Sequence, residues 1–270
     1  EFRRVLFRSM GTHVDVLPTG ISAGGFTDSS AHRQPMSVFY NQYSRLAADP
    51  EHDPANEDAR MIFGPLFKTG FLIEDFYRRN NWFGAGALVM TSASSKTAMA
   101  LAHCAKVSSP HVRRIGLTSP GNIDFVKATG LYDEVVAYGD VATLNPGPSV
   151  AVDFAGNAKV LHAIHSTLGD ALKYSSTVGA THVGAAGSLE ALPGPQPVLF
   201  FAPTEALETI KALGPAGFAQ AVGTAWTSFV ATAKGFMSVE HKNGLQPAIE
   251  VFQATLAGTQ NPDTGVVVRP

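Results

Sequence analysis

The sequence predicts an α/β protein built on a doubly wound parallel sheet, and three observations lead there. From Trp82 onward, short apolar runs alternate with helical stretches of roughly ten residues, the signature of βαβ units with right-handed crossovers. The 270 residues are 45% apolar and only 16% charged, which suits a sizeable buried core and excludes a disordered chain. No internal repeat or heptad appears, so a solenoid or coiled coil is set aside.

The elements follow in order. Glu1–Ser9 resembles the in-frame translation of a sequencing adapter fused ahead of Met10, and is left out of the fold as a segment expected to pack against nothing. Residues 10–81 are irregular and rich in Gly, Ser, Asp and Pro, with a solvated loop at Asp49–Pro54. Helical rhythm is read over Val38–Ala48 and Phe63–Arg79, and apolar side chains such as Phe26 and Val38 are expected to be exposed. Residues 82–240 form the nucleotide-type domain. Strands are predicted at Ala85–Met90, Val112–Leu117, Val135–Val136, Ser149–Phe154, Leu172–Val178 and Pro197–Phe201. Helices are predicted at Thr97–Lys106, Asn122–Thr129 and Asn157–Leu168, the first apolar on nearly every side and therefore buried. Thr204 is read as the cap of a helix that Gly214–Pro215 stops, with a second helix over Ala216–Lys234. Residues 241–270 supply a last helix with Pro247 as its first residue and Ile249, Phe252 and Leu256 on one face, then a strand at Val266–Val268.

Formal charge is −2 and the isoelectric point is near 6.5, with a mean hydropathy of +0.07. No basic stripe is interleaved with aromatics, so no nucleic-acid partner is expected. No apolar run approaches the roughly 18 residues of a membrane helix, so no membrane partner is expected either. The single cysteine, Cys104, excludes an internal disulfide framework and fits a reducing, cytoplasmic compartment.

The loop after the first sheet strand, Ser92-Ala-Ser-Ser-Lys-Thr97, carries the chemistry. In a doubly wound sheet this turn holds ligand phosphates, because free backbone N–H groups and the helix dipole favour an anion there. Glycines are absent, but small residues permit close approach, hydroxyls can donate, and Lys96 adds charge. An anion cradle and an ordinary capped helix both fit the loop taken alone. Ser94, Ser95 and Thr97 are expected to cap the helix, with Lys96 flanking the opening. At the end of the next strand stand Thr118 and Ser119, with no carboxylate before Asp124. An acidic residue there would hold an NAD ribose; hydroxyls suit a 2′-phosphate, so NADP is the expected cofactor. Arg113 and Arg114 lie nearby in sequence.

Ala87–Lys106, Ile115–Tyr138 and Val152–Asn157 resemble the nucleotide domain of the medium-chain dehydrogenase/reductase superfamily. Tyr40-Asn-Gln-Tyr43, Pro65–Phe76, Ser92–Thr97, Ala155-Gly-Asn157 and Val178-Gly-Ala-Thr-His182 are similar to a divergent bacterial branch of it, of unknown function. The resemblance implies a Rossmann-like fold, with residues 10–81 a remnant of an N-terminal GroES-like β domain and its connecting helices. It also implies that residues 241–270 return toward that domain, and, by analogy, a homodimer. Gly156, Val178 and Gly179 join Ser94, Ser95, Lys96, Thr97, Thr118 and Ser119 as cofactor-binding candidates. The sequence departs from the superfamily at the glycine loop and lacks the Cys/His cluster of a catalytic zinc, so no metal is expected.

Several other patterns carry less. Gly20-Ile-Ser-Ala-Gly24 matches a hydrolase elbow but lacks the strands before and the helix after. Lys68-Thr-Gly70 has no Ser-x-x-Lys companion. His162 and His165, with Asp170 nearby, are read as surface or core-edge histidines. Cys104 is read as an inert core thiol, and Phe71, Phe76, Tyr77, Trp82 and Phe83 as packing. Tyr43, Tyr40 and His182 are the candidate catalytic proton donors beside a hydride transfer. The reading is an NADP(H)-dependent, zinc-independent oxidoreductase acting on a small-molecule carbonyl or activated C=C bond. The alternative is a dehydrogenase-like protein that binds a nucleotide or acyl ligand without redox turnover.

Overall fold

The computed structural model describes residues 15–49, 52–178 and 192–269. Glu1–Ser9 therefore lies outside the described residues. Strands β1 (Pro18–Thr19), β2 (Gly25–Asp28) and β3 (Gln42–Ser44) form a small antiparallel sheet. The helix expected over Val38–Ala48 does not form. Two 3₁₀ turns, Val38–Tyr40 and Leu46–Ala48, flank β3 instead, because pairing with β2 sets Tyr43 opposite Phe26 with the rings stacked at 4.9 Å. Cross-strand pairing of this kind overrides local periodicity. Val38 is exposed as expected, whereas Phe26 is half-buried by that stack. Gly20–Gly24 is the connection between β1 and β2.

Helix α1 (Glu57–Arg79) starts earlier than its apolar rhythm suggested and buries Phe63, Phe67, Phe71, Ile73 and Tyr77. Its end runs into a left-handed turn. Asn81, Trp82 and Phe83 have φ of 48°, 51° and 52°, a conformation that costs non-glycine residues about 1–2 kcal/mol each. The Trp82 indole donates to Ser109 Oγ (3.1 Å), which donates to Glu74 Oε1 (2.9 Å). Tyr77 stacks on Trp82, and Phe83 stacks on Tyr174 at 4.3 Å. The aromatic cluster is thus packing, as read, and it holds the strained entry to the sheet.

That sheet has six strands, all parallel: β4 (Ala87–Met90), β5 (Arg113–Thr118), β6 (Glu134–Ala137), β7 (Ser149–Asp153), β8 (Leu172–Thr177) and β9 (Val198–Leu199). Their order is β6-β5-β4-β7-β8-β9, the doubly wound arrangement. Helices α2 (Lys96–Ser108), α3 (Ile123–Ala128) and α4 (Ala158–Leu168) make the crossovers. Helix α5 (Ala202–Ala233) begins after Phe201 rather than at Thr204, since Pro203 fits its first turn, and it is broken at Gly214 (φ 72°). It covers α1 and α2 on one face, with Phe229 against Phe63 and Phe67. Gly70 explains the Lys68-Thr-Gly70 triplet: a Cβ there would sit 2.7 Å from Leu101 N, so glycine sets the approach of α1 to α2.

Beyond it, β10 (Ser238–Asn243) and β11 (Thr264–Arg269) pair in parallel through α6 (Leu245–Leu256). The predicted face of α6 is not its buried one. The helix opens at Leu245, two residues before the expected Pro247; Val251 is buried, while Ile249 and Leu256 are exposed. No helix among the described residues is long and apolar enough to cross a membrane.

Candidate functional site

In the observed strand order the crossovers leave β4 in one direction and β7 in the other. The crevice beyond the carboxyl ends of these two strands is the ligand position of doubly wound sheets. Three short segments build it: Thr91–Ser95 after β4, Ser119–Asn122 after β5, and Phe154–Asn157 after β7.

The first is welded in place. Ala93 is fully buried and donates its N–H to Leu117 O (3.0 Å), while Tyr132 Oη donates to Ala93 O (2.7 Å). A side chain at Gly116 would collide with both Ala93 and Tyr132, so glycine on β5 lets the loop settle. Ser92 adopts φ 48°, and its N–H donates to Tyr138 Oη (2.8 Å). Burial pushes the Tyr138 phenol up from its ordinary range, so it is neutral at physiological pH.

Ser95 caps α2, its Oγ accepting from Ala98 N (3.3 Å). Ser94 does something else: its hydroxyl accepts from Asn122 Nδ2 (3.1 Å), tying the loop to the turn after β5. Thr97 sits in the first turn without a capping role. Among the described residues, the backbone N–H groups of Ser94, Lys96 and Thr97 have no hydrogen-bond partner. Lys96 is half-buried, makes no ion pair among the described residues, and burial pulls its ammonium pKa below the usual lysine range. Open helix N–H groups beside an unpaired, partly desolvated cation form a site that an anion relieves.

At the second segment, Thr118 is buried and Ser119 half-buried at the end of β5. The nearest carboxylate along the chain is Asp124, exposed in the first turn of α3. Arg113 and Arg114 lie at the opposite, amino end of β5. Arg113 pairs with Glu134; Arg114 is buried on Asp133, Leu131 O and Val112 O. Their nearness in sequence does not bring them to the crevice.

The third segment is organised by Asp153, buried at the end of β7. Its Oδ1 accepts from Thr91 Oγ1 (2.6 Å) and Ala155 N (3.0 Å), and its Oδ2 from Gly156 N (3.1 Å). Thr91 Oγ1 in turn accepts from Phe154 N (2.8 Å) and Ala155 N (3.0 Å). Gly156 turns the chain at φ 63°, and Val178 N–H donates to Asp153 O (2.9 Å), bringing the end of β8 to the same place.

The structure thus gathers Ser94, Ser95, Lys96, Thr97, Thr118, Ser119, Gly156 and Val178 around one crevice. Gly179 and His182 lie outside the described residues. Tyr40 is exposed on its 3₁₀ turn and Tyr43 stacks on Phe26; neither hydrogen-bonds to a crevice residue among those described. The sequence reading missed Thr91, Tyr132, Tyr138 and Asp153. Three of them stand at the carboxyl end of a strand, and that position was the available signal: Thr91 follows β4, Tyr138 follows β6, and Asp153 closes β7.

His165 is buried between Pro193 O (2.8 Å) and Ser175 Oγ (2.9 Å), and its pKa is lowered by burial; His162 is exposed. Cys104 is buried in α2, and burial pushes its thiol pKa far up.

The chain belongs to the family described as proteins of unknown function, DUF2855, whose model matches residues 7–261. No curated protein matches its sequence. Among solved structures it is similar to a candidate NADPH:quinone reductase from Mesorhizobium loti, with a TM-score of 0.60 at 14% identity over 91% of this chain and 70% of that one. It is also similar to CurA from Vibrio vulnificus in complex with NADPH, at 0.55 and 17%, over 80% of this chain and 66% of that one. The yhdH oxidoreductase from Salmonella enterica in complex with NADP matches at 0.51 and 16%, over 85% and 67%. At these identities the likeness is one of fold. This chain spans about two thirds of the length of each of these proteins.

Proposed function

We propose that the protein is an NADP(H)-dependent, zinc-independent oxidoreductase acting on a carbonyl or an activated C=C bond of a small molecule. The observation that carries the reading is the juxtaposition of Lys96, partly desolvated and without an ion pair among the described residues, with the N–H groups of Ser94, Lys96 and Thr97, likewise without partners among them, at the switch point of the sheet. The similar folds solved with NADP or NADPH add support.

The nicotinamide cofactor supplies a hydride when bound. In this reading the loop N–H groups and Lys96 Nζ hold its pyrophosphate. Thr118 and Ser119 border the adenosine ribose without a carboxylate to repel a 2′-phosphate. Gly156 and Val178 flank the nicotinamide half, Gly179 is the remaining cofactor-binding candidate, and Asp153 and Thr91 fix the turn on which Gly156 stands. A proton for the substrate oxygen or carbon comes from Tyr43, Tyr40 or His182. Zinc independence is read from this chain's donors: Cys104 is buried within α2, and His103 and His165 are bonded to Ser228 and Ser175.

The test is an NADPH titration by fluorescence, followed by NADPH oxidation across a panel of carbonyls, quinones and enones. Binding with turnover of one class is the expected result. Binding without oxidation of any member would favour the ligand-binding alternative, and tighter binding of NADH than NADPH would overturn the cofactor preference.

A further inference from the structure

We propose that Tyr138 is a positioning residue of the nucleotide loop, holding Ser92 in a conformation that such a turn ordinarily assigns to glycine. The inference rests on the cofactor reading above and extends it to a residue outside the phosphate contacts.

Ser92 has φ 48°, in the left-handed region that a glycine enters freely and a serine does not. A non-glycine residue keeps such a conformation only where its surroundings over-determine it. The clamp here comes from two strands away. Tyr138 follows β6, at the far edge from β4, and its Oη accepts the Ser92 N–H at 2.8 Å with Ser92 Oγ at 3.3 Å. Ser92 is buried, so without that oxygen its N–H loses this acceptor inside the protein. The next residue is fixed independently by Leu117 O and Tyr132. Ser92 O also accepts from Ser95 N at 2.7 Å, so the turn at Ser92 sets the path of the backbone on which the N–H groups of Ser94, Lys96 and Thr97 stand.

The Tyr138 hydroxyl thus does through a hydrogen bond what glycine does through lack of a side chain. Two substitutions separate this role from a direct contact with the nucleotide. Tyr138→Phe should weaken NADPH binding by about 5- to 30-fold, the range that corresponds to releasing one strained conformation. Adding Ser92→Gly to Tyr138→Phe should restore affinity to within about threefold of the wild type, because glycine holds the turn unaided. In the nucleotide-free protein, amide hydrogen exchange at Ser94–Thr97 should quicken in Tyr138→Phe and slow again in the double variant. Unchanged exchange in Tyr138→Phe overturns the proposal whether or not NADPH is the ligand. A double variant that still binds NADPH weakly also overturns it, since the hydroxyl would then act on the nucleotide itself. Failure of the wild type to bind NADPH, with the exchange pattern as expected, counts against the cofactor reading and leaves the clamp standing.

Discussion

Thr91 Oγ1 donates a 2.6 Å hydrogen bond to Asp153 Oδ1, joining β4 to β7 at the line where the sheet reverses its winding. The same oxygen accepts two backbone N–H groups, from Phe154 and Ala155. Removing it by Thr91→Val leaves those N–H groups and one carboxylate lone pair underserved in a buried place. The expected cost is about 2–4 kcal/mol of folding stability, whereas Thr91→Ser should lose under about 1.5 kcal/mol. Urea denaturation of both variants checks this, and a Thr91→Val protein as stable as the wild type would show the network to be dispensable.

Reversing the charge of Lys96 tests the anion site directly. Lys96→Glu sets a carboxylate at the amino end of α2, beside the open N–H groups, where a pyrophosphate would lie. NADPH binding should weaken by about 1–3 kcal/mol, since a charged contact in a partly desolvated site is lost and a repulsion gained. The carboxylate also favours the helix dipole, so stability should hold or rise slightly. Equal NADPH affinity before and after the change would remove Lys96 from the site.

His103 should make the protein acid-sensitive. It is buried in α2 against Ser228 and Phe229, and burial, helped by the charge of Lys106, pulls its pKa down to about 4. The native state thus keeps the ring neutral while the unfolded chain, titrating near pH 6.5, takes up a proton first. Stability is unaffected above about pH 6.5, falls as pH drops from there to about 4, and is flat below, for a total of about 3 kcal/mol. His165 shifts in the same direction, so the informative quantity is a difference between proteins. From pH 7 to pH 5, His103→Gln should lose about 2 kcal/mol less than the wild type. Parallel pH profiles in chemical denaturation would refute the assignment.

Gly70→Ala probes the approach of α1 to α2. The added Cβ would meet Leu101 N at 2.7 Å, Ala100 Cβ at 2.9 Å and Ala100 C at 3.0 Å, contacts with helix backbone that no side-chain rotation relieves. Alanine favours a helix over glycine by about 1 kcal/mol, but overpacking costs about 1–3 kcal/mol or more, so a net loss is expected. A raised melting temperature would mean that the helices can separate without penalty.

Much of this architecture is legible in the chain, and the residues show why some is not. Ala87–Met90 and Ser149–Asp153 are buried on both faces, so their largely apolar runs announce themselves. The loop at Ser92–Thr97 is legible as a strand-to-helix turn because an apolar run precedes it and a serine-capped helix follows. Val38–Ala48 misleads because Val38, Phe39, Tyr40 and Tyr43 recur at helical spacing, while the deciding contact, Tyr43 on Phe26, lies seventeen positions back along the chain. Ile249 and Leu256 mislead because an amphipathic pattern records that a face is apolar, not what covers it. Tyr138 and Asp153 stayed hidden for a different reason: each acts on a residue of another strand, and only the sheet order makes them neighbours.

The reach of Tyr77 has a consequence for how the molecule opens. From α1, upstream of the whole parallel sheet, its hydroxyl lies 3.2 Å from Ala151 O and 2.9 Å from Ser176 Oγ, over the seam between β7 and β8. The side chain is fully buried, so α1 cannot lift away without exposing a hydroxyl, two acceptors and the aromatic stack around them. Such an opening costs nearly as much as losing the sheet. Helix α1 and strands β7 and β8 therefore belong to one cooperative unit, with the slowest amide exchange in the chain shared between them, although more than seventy residues separate Tyr77 from its partners.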